Sequence, residues 1–130
     1  AKNLIIEFPL SSCDQDLVLK SIDKITSSVD CMKLLNSEST QTLVESEWIS
    51  ELGEILRPDR VDFNFDDKII NIIDFKWRVS HNQKNPYVLQ MLNYQKVIEL
   101  NYPKMTVKSF LVSSDAQIFY IKGNQLLHLS

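Results

Sequence analysis

Arg57-Pro58-Asp59-Arg60-Val61-Asp62-Phe63-Asn64-Phe65-Asp66-Asp67-Lys68-Ile69-Ile70-Asn71-Ile72-Ile73-Asp74-Phe75-Lys76 sets two segments rich in Ile, Val and Phe on either side of a pair of acids. Such a pattern predicts a β-hairpin, weaker than one with Asp-Gly at its tip because no glycine relieves a positive φ. A two-residue loop at Asp66-Asp67 pairs Phe65 with Lys68 and, six positions further along each strand, Asp59 with Asp74. Strand alternation then puts Lys76 on the face of Asp74, while Asp62 and Asn71 point the other way. A loop of three to five residues would instead set Asp62 or Asn64 against Asp74. Carboxylates facing each other across strands repel, by up to about 1 kcal/mol relative to a neutral pair. A divalent cation reverses that sign, and Mg²⁺ and Mn²⁺ favour carboxylate, carbonyl and water oxygens.

On the N-terminal side, Asp14 or Asp16 is placed to cap a helix with Leu17, Val18, Ile22 and Ile25 on one stripe, followed by a helical turn from Cys31 to Leu35. Thr42 to Ile49 alternates as one strand, and the hairpin segments run from Glu54 to Phe65 and from Lys68 to Phe75. From Asn85 to Asn101 the period becomes helical, opened by Asn85-Pro86 and stopped before Pro103. Val107 to Val112 and Gln117 to Ile121 read as two last strands, with a short tail beyond Gly123. Helix, three strands, helix, two strands is an α/β order with a central mixed sheet of about five strands flanked by helices. No repeat, low-complexity stretch or linker divides the 130 residues, so they read as a single domain, 1–130.

Composition removes several functions. With glycine only at positions 53 and 123, neither a dinucleotide-binding loop nor a phosphate-cradling loop can form. Cys13, Cys31, His81 and His128 are too few and too scattered for a Cys/His zinc site or an iron–sulfur cluster, so a metal must be held mainly by oxygen. The two cysteines read as core thiols of a reducing compartment. A formal charge of -3 excludes a domain that coats nucleic acid through its net field, leaving local contact open. No apolar run exceeds four residues, where a membrane helix needs about 20. Ala1, standing where an initiator Met is expected, suggests a piece of a longer chain.

Pro58-Asp59 followed by Asp74-Phe75-Lys76 resembles the PD-(D/E)xK signature of metal-dependent nucleases. Arg57-Pro58-Asp59-Arg60-Val61-Asp62, Ile72-Ile73-Asp74-Phe75-Lys76 and Gln90-Met91-Leu92-Asn93-Tyr94 resemble the Asp-Arg-Val-Asp stretch, the Ile-Asp-Tyr-Lys strand and the Gln-x-x-x-Tyr helix of the RecB-like subgroup. Residues 43–121 carry the likeness, which is greatest to the C-terminal nuclease domain of bacterial UvrD-like helicase–nucleases of the AddA/RecB type. The chain departs from that pattern after Lys76, where Trp77-Arg78-Val79-Ser80 replaces the usual Thr-Gly, and it lacks both the upstream His-bearing helix and the four-Cys cluster of some members.

The resemblance implies a restriction-endonuclease-like sandwich in a bacterial, cytoplasmic protein. It also implies an exodeoxyribonuclease, exonuclease V-like, that hydrolyses DNA phosphodiesters with Mg²⁺ or Mn²⁺ during double-strand break repair. The partners it implies are DNA, helicase domains of the same chain that would house the ATP-dependent motor, and a second helicase–nuclease subunit. Asp59, Asp74 and the Phe75 carbonyl would hold the metal, with Glu47 or Glu45 completing the set. Those two glutamates share a face if Thr42 to Ile49 is one strand, and spacing to Arg57 favours Glu47. Lys76 would touch the attacking water, with Gln90 and Tyr94, four apart on one helix face, orienting it. Trp77, Arg78, Lys84 and Tyr87 lie beside this centre, where basic and aromatic side chains suit a DNA backbone with a stacked base. The departures at Trp77 and upstream support the alternative of an inactive module with the same fold that binds DNA or docks a protein.

Overall fold

The computed structural model describes residues 15–36, 41–79 and 84–129. Helices α1 (Gln15–Ser27) and α2 (Val29–Leu35) come first, followed by strands β1 (Gln41–Val44), β2 (Trp48–Ile49), β3 (Ile55–Leu56), β4 (Arg60–Asn64) and β5 (Ile69–Lys76). Helix α3 (Lys84–Asn101) and strands β6 (Thr106–Ser113), β7 (Ile118–Lys122) and β8 (Gln125–His128) complete the order. Six strands form a mixed sheet in the order β1-β4-β5-β6-β7-β8, one more than the sequence reading allows, and β2 and β3 make a separate hairpin. Among the described strands only β5 and β6 run parallel. A parallel pair needs a crossover of a dozen or more residues, and α3 is that crossover.

The hairpin register agrees with the reading from sequence. Arg60 pairs with Ile73, Val61 with Ile72 and Asn64 with Ile69, so the next pair outward is Asp59 with Asp74. The loop has four residues, Phe65–Lys68, rather than two. It is symmetric about the same centre, so the register survives, and a loop of this length does not set Asp62 or Asn64 against Asp74: they pair with Asn71 and Ile69. Asn64 holds the turn by accepting from the Asp67 N–H at 3.0 Å and donating to the Asp67 carboxylate at 3.0 Å, while Lys68 takes φ 57°.

Alternation sorts the strands into two cores. Val61, Phe63, Ile70, Ile72, Val107 and Leu111 face α3, which buries Val88, Met91, Tyr94 and Ile98 against them. Ile73, Phe75, Val112 and Ile118 face the other way, toward Ile25 of α1 and Cys31 and Leu35 of α2. Helices thus cover both faces of the sheet. Asp59, Asp74 and Lys76 belong to the α3 face; Arg60 and Asp62, the even residues of the same motif, belong to the α1/α2 face. There Arg60 Nε lies 2.9 Å from Asp62 Oδ1, and the guanidinium donates to the Leu35 carbonyl at 2.7 Å, satisfying a helix C-terminus. Thr42 donates to Asp62 at 2.7 Å.

Three stretches differ from the sequence expectation. Thr42 to Ile49 is not one strand: Glu45 adopts φ 51°, ends β1 and sends the chain into the β2–β3 hairpin. Glu54 to Phe65 is likewise interrupted, because Pro58 has no N–H to give a ladder. The tail beyond Gly123 is a strand, β8, paired with β7 through a two-residue turn in which Gly123 takes φ 61°. On α1, Ile25 is fully buried, whereas Leu17 of the expected stripe is 52% exposed. Asp16 lies within the first turn and not at the cap, and Asp14 and Cys13 fall outside the described residues.

Candidate active site

The end of the two central strands β4 and β5, beyond their last ladder pair, carries the site. Having lost its ladder, the backbone is satisfied by the acids themselves: the Asp59 N–H donates to Asp74 Oδ1 at 2.8 Å, and the Phe75 N–H donates to Asp59 Oδ2 at 2.8 Å. This reciprocal clasp turns both carboxylates toward one point. Burial, and next the charge of Asp74, push the Asp59 carboxyl up to about 7, against the opposing pull of the Phe75 N–H and Lys76. Burial also raises Asp74, partly offset by the Asp59 N–H and by Lys76. Two facing acids at a dry strand end cannot both ionise easily, so the pair keeps a proton near neutral pH.

Lys76 stands beside them on the same face. Its ammonium lies 3.3 Å from Asp74 Oδ2 and donates to Gln90 Oε1 at 2.9 Å. The nitrogen also sits over the Tyr87 ring, 4.9 Å from its centroid. Tyr94, one turn beyond Gln90, is buried with its phenol raised by burial and then by the charges of Asp74 and Asp59, and lowered by a hydrogen bond with Gln90. Strands β4 and β5 and helix α3 therefore bring Asp59, Asp74, Lys76, Gln90 and Tyr94 into one cluster, the set expected from sequence.

The exit from β5 carries no glycine, and its backbone takes no left-handed conformation. Among described non-glycine residues, positive φ occurs at Glu45, Lys68 and Ala116, not at Trp77 or Arg78. Ser114 secures the exit instead, its N–H donating to the Lys76 carbonyl at 3.0 Å and its hydroxyl donating to the Trp77 carbonyl. Sequence reading missed Ser114, and no local signal marks a partner 37 positions away from Trp77. Because the Lys76 carbonyl turns toward β6, alternation turns the Phe75 peptide groups toward β4 and the acid pair.

The remaining expected residues are not all brought here. Glu45 would lie directly across β1–β4 from Asp59, since its N–H donates to the Asp59 carbonyl at 3.0 Å. Its positive φ takes it out of the pleat, however, and its carboxylate pairs with Arg57 at 3.2 Å. Glu47 is exposed between β1 and β2, so the two glutamates share no strand face. Among the described residues no third His, Cys, Asp or Glu joins Asp59 and Asp74. Trp77 is packed against the α1/α2 core, on the side opposite the acids, because position 77 follows the alternation of Ile73 and Phe75. Arg78 is exposed and offers its carbonyl to the Tyr87 hydroxyl at 3.4 Å. The side chain of Lys84, and His81, lie outside the described residues.

The donor set is oxygen throughout, two carboxylates and a backbone carbonyl beside the Lys76 ammonium, and this suits a hard divalent cation. Among the described residues no helix is long and apolar enough to cross a membrane. No family model matches the chain, and no curated protein is significantly similar to it.

Proposed function

We propose that the chain is a metal-dependent deoxyribonuclease domain with a restriction-endonuclease-like fold, of the RecB-like PD-(D/E)xK type, which hydrolyses DNA phosphodiesters within a helicase–nuclease. The observation that carries this reading is the clasp of Asp59 and Asp74 with Lys76 held 3.3 Å away on the same face. An ion pair of purely structural purpose does not require a second carboxylate facing the first. A site for a divalent cation does, because the cation offsets the repulsion of the two acids that hold it.

Asp59, Asp74 and the Phe75 carbonyl would hold Mg²⁺ or Mn²⁺, which when bound lowers the pKa of water and neutralises charge on the phosphate. Lys76 then contacts the attacking water and favours its hydroxide form, as a cation beside a nucleophilic oxygen does. The water gives one proton to solvent as its oxygen attacks phosphorus in line, the P–O bond opposite breaks, and the leaving oxygen takes a proton from solvent. Gln90 fixes where the Lys76 ammonium points, and Tyr94 supports Gln90 from the adjacent turn. Arg78 and Lys84 are placed in sequence to meet the DNA backbone beside this strand end.

Lys76→Ala tests the assignment. With linear DNA and Mn²⁺, cleavage by the variant should fall by about 10²-fold or more. DNA binding measured by fluorescence anisotropy with Ca²⁺ should change by less than about threefold. Equal losses of binding and cleavage would point to a DNA-binding module of the same fold.

A further inference from the structure

We infer that Tyr87 is a positioning residue for Lys76, its ring acting as the platform that keeps the ammonium poised beside Asp74. The inference rests on the nuclease reading for its kinetic consequence but on geometry for its substance.

An ammonium has three N–H donors. Gln90 Oε1 at 2.9 Å and Asp74 Oδ2 at 3.3 Å engage two of them, and the Tyr87 ring, 4.9 Å from the nitrogen to its centroid, flanks the charge with a face that takes up no N–H. The shorter contact is to the neutral amide and the longer to the acid, so Lys76 is not drawn into a tight ion pair. A ring suits that flank because its face attracts a cation without supplying a formal negative charge. A carboxylate there would compete with Asp74 for the ammonium, and a purely aliphatic side chain would leave the charge desolvated with nothing in return.

Tyr87 is itself fixed from two directions. It sits one turn before Gln90 on α3, so both partners of Lys76 ride on the same helix face. Its hydroxyl donates to the Arg78 carbonyl at 3.4 Å, tying α3 to the segment that leaves β5. The ring is half-buried and packs against the α3-side core. Its side chain therefore adds a second polar tie between α3 and the end of β5, beside the Lys76–Gln90 hydrogen bond.

The test compares Tyr87→Phe, which keeps the ring, with Tyr87→Leu, which keeps bulk and removes it. In the metal-free protein, ¹⁵N-lysine NMR of the ammonium groups reports on Lys76 directly, the signal being assigned by its loss in Lys76→Arg. The wild type and Tyr87→Phe should show a ring-current-shifted Lys76 signal, and Tyr87→Leu should move it toward the exposed lysines. With DNA and Mn²⁺, Tyr87→Leu should lower kcat about tenfold with KM changed by less than about twofold, and Tyr87→Phe should restore kcat to within about twofold. A Lys76 signal unmoved in Tyr87→Leu would overturn the inference, as would equal damage by both variants or a loss confined to KM. If the wild type cuts no DNA, the nuclease reading fails separately, and the ammonium signal alone decides the role of Tyr87.

Discussion

Replacing Asp59 by Asn should make the metal-free domain more stable at pH 8. The reason lies in the clasp: Asp59 is pushed from 3.8 to about 7 by burial and by Asp74, so the folded state disfavours its ionised form. Below about pH 4 the carboxyl is protonated in both folded and unfolded chains, and it costs nothing. As pH rises toward 7 the unfolded chain releases this proton while the folded chain retains it, and stability from this group is progressively lost until it levels off above 7. The full displacement corresponds to at most about 4 kcal/mol. Partial exposure of Asp59 and sharing of the proton with Asp74 reduce this to about 2 kcal/mol. Asn keeps an oxygen to accept from the Phe75 N–H and adds an amide donor that can face Asp74. For a chain of this size about 2 kcal/mol is roughly 6–10 °C in Tm. Thermal unfolding in EDTA at pH 4.5 and pH 8 measures it, with a gain of less than about 2 °C expected at the lower pH. An Asp59→Asn variant no more stable than wild type at pH 8, or equally stabilised at both pH values, would refute the reasoning.

Other consequences follow from neighbouring contacts. Asp62→Ala leaves the Arg60 guanidinium buried without its carboxylate and should cost about 3–5 kcal/mol in urea unfolding, without a change in metal binding. Mn²⁺ at about 100 times its Kd should stabilise the wild type by about 2.7 kcal/mol, but not Asp74→Ala. Because Asp59 must release its proton to ligate, calorimetric Mn²⁺ affinity should weaken as pH falls below about 7. Gln90→Ala should lower the cleavage rate about tenfold while leaving Tm within about 3 °C, since Gln90 holds a side chain and not the core.

The acid pair was legible because period-2 alternation and a centred loop are enough to place Asp59 opposite Asp74, and doubling the loop from two residues to four left that centre unchanged. Gln90 and Tyr94 were singled out by the resemblance of Gln90-Met91-Leu92-Asn93-Tyr94 to a Gln-x-x-x-Tyr helix motif, helical spacing adding only that they share a face. Glu45 and Glu47 were not, because alternation alone does not reveal that a non-glycine residue takes φ 51° and turns the chain out of the sheet. Trp77 was assigned by proximity in sequence to Asp74 and Lys76, whereas the pleat carries it to the opposite core. The sixth strand was missed, the residues beyond Gly123 being read as a tail, because a four-residue segment has too few positions to show alternation. Ser114 and the Tyr87 platform depend on contacts between distant segments, and a single sequence holds no local trace of them.

The most direct measurement is hydrolysis of end-labelled single- and double-stranded DNA by the wild-type chain and by Asp74→Asn, each with Mg²⁺, with Mn²⁺ and with EDTA. Cleavage by the wild type that needs the metal and disappears in Asp74→Asn is the predicted result. Cleavage that survives in Asp74→Asn or in EDTA, or a folded wild-type chain that cuts neither substrate with either metal, would contradict the account.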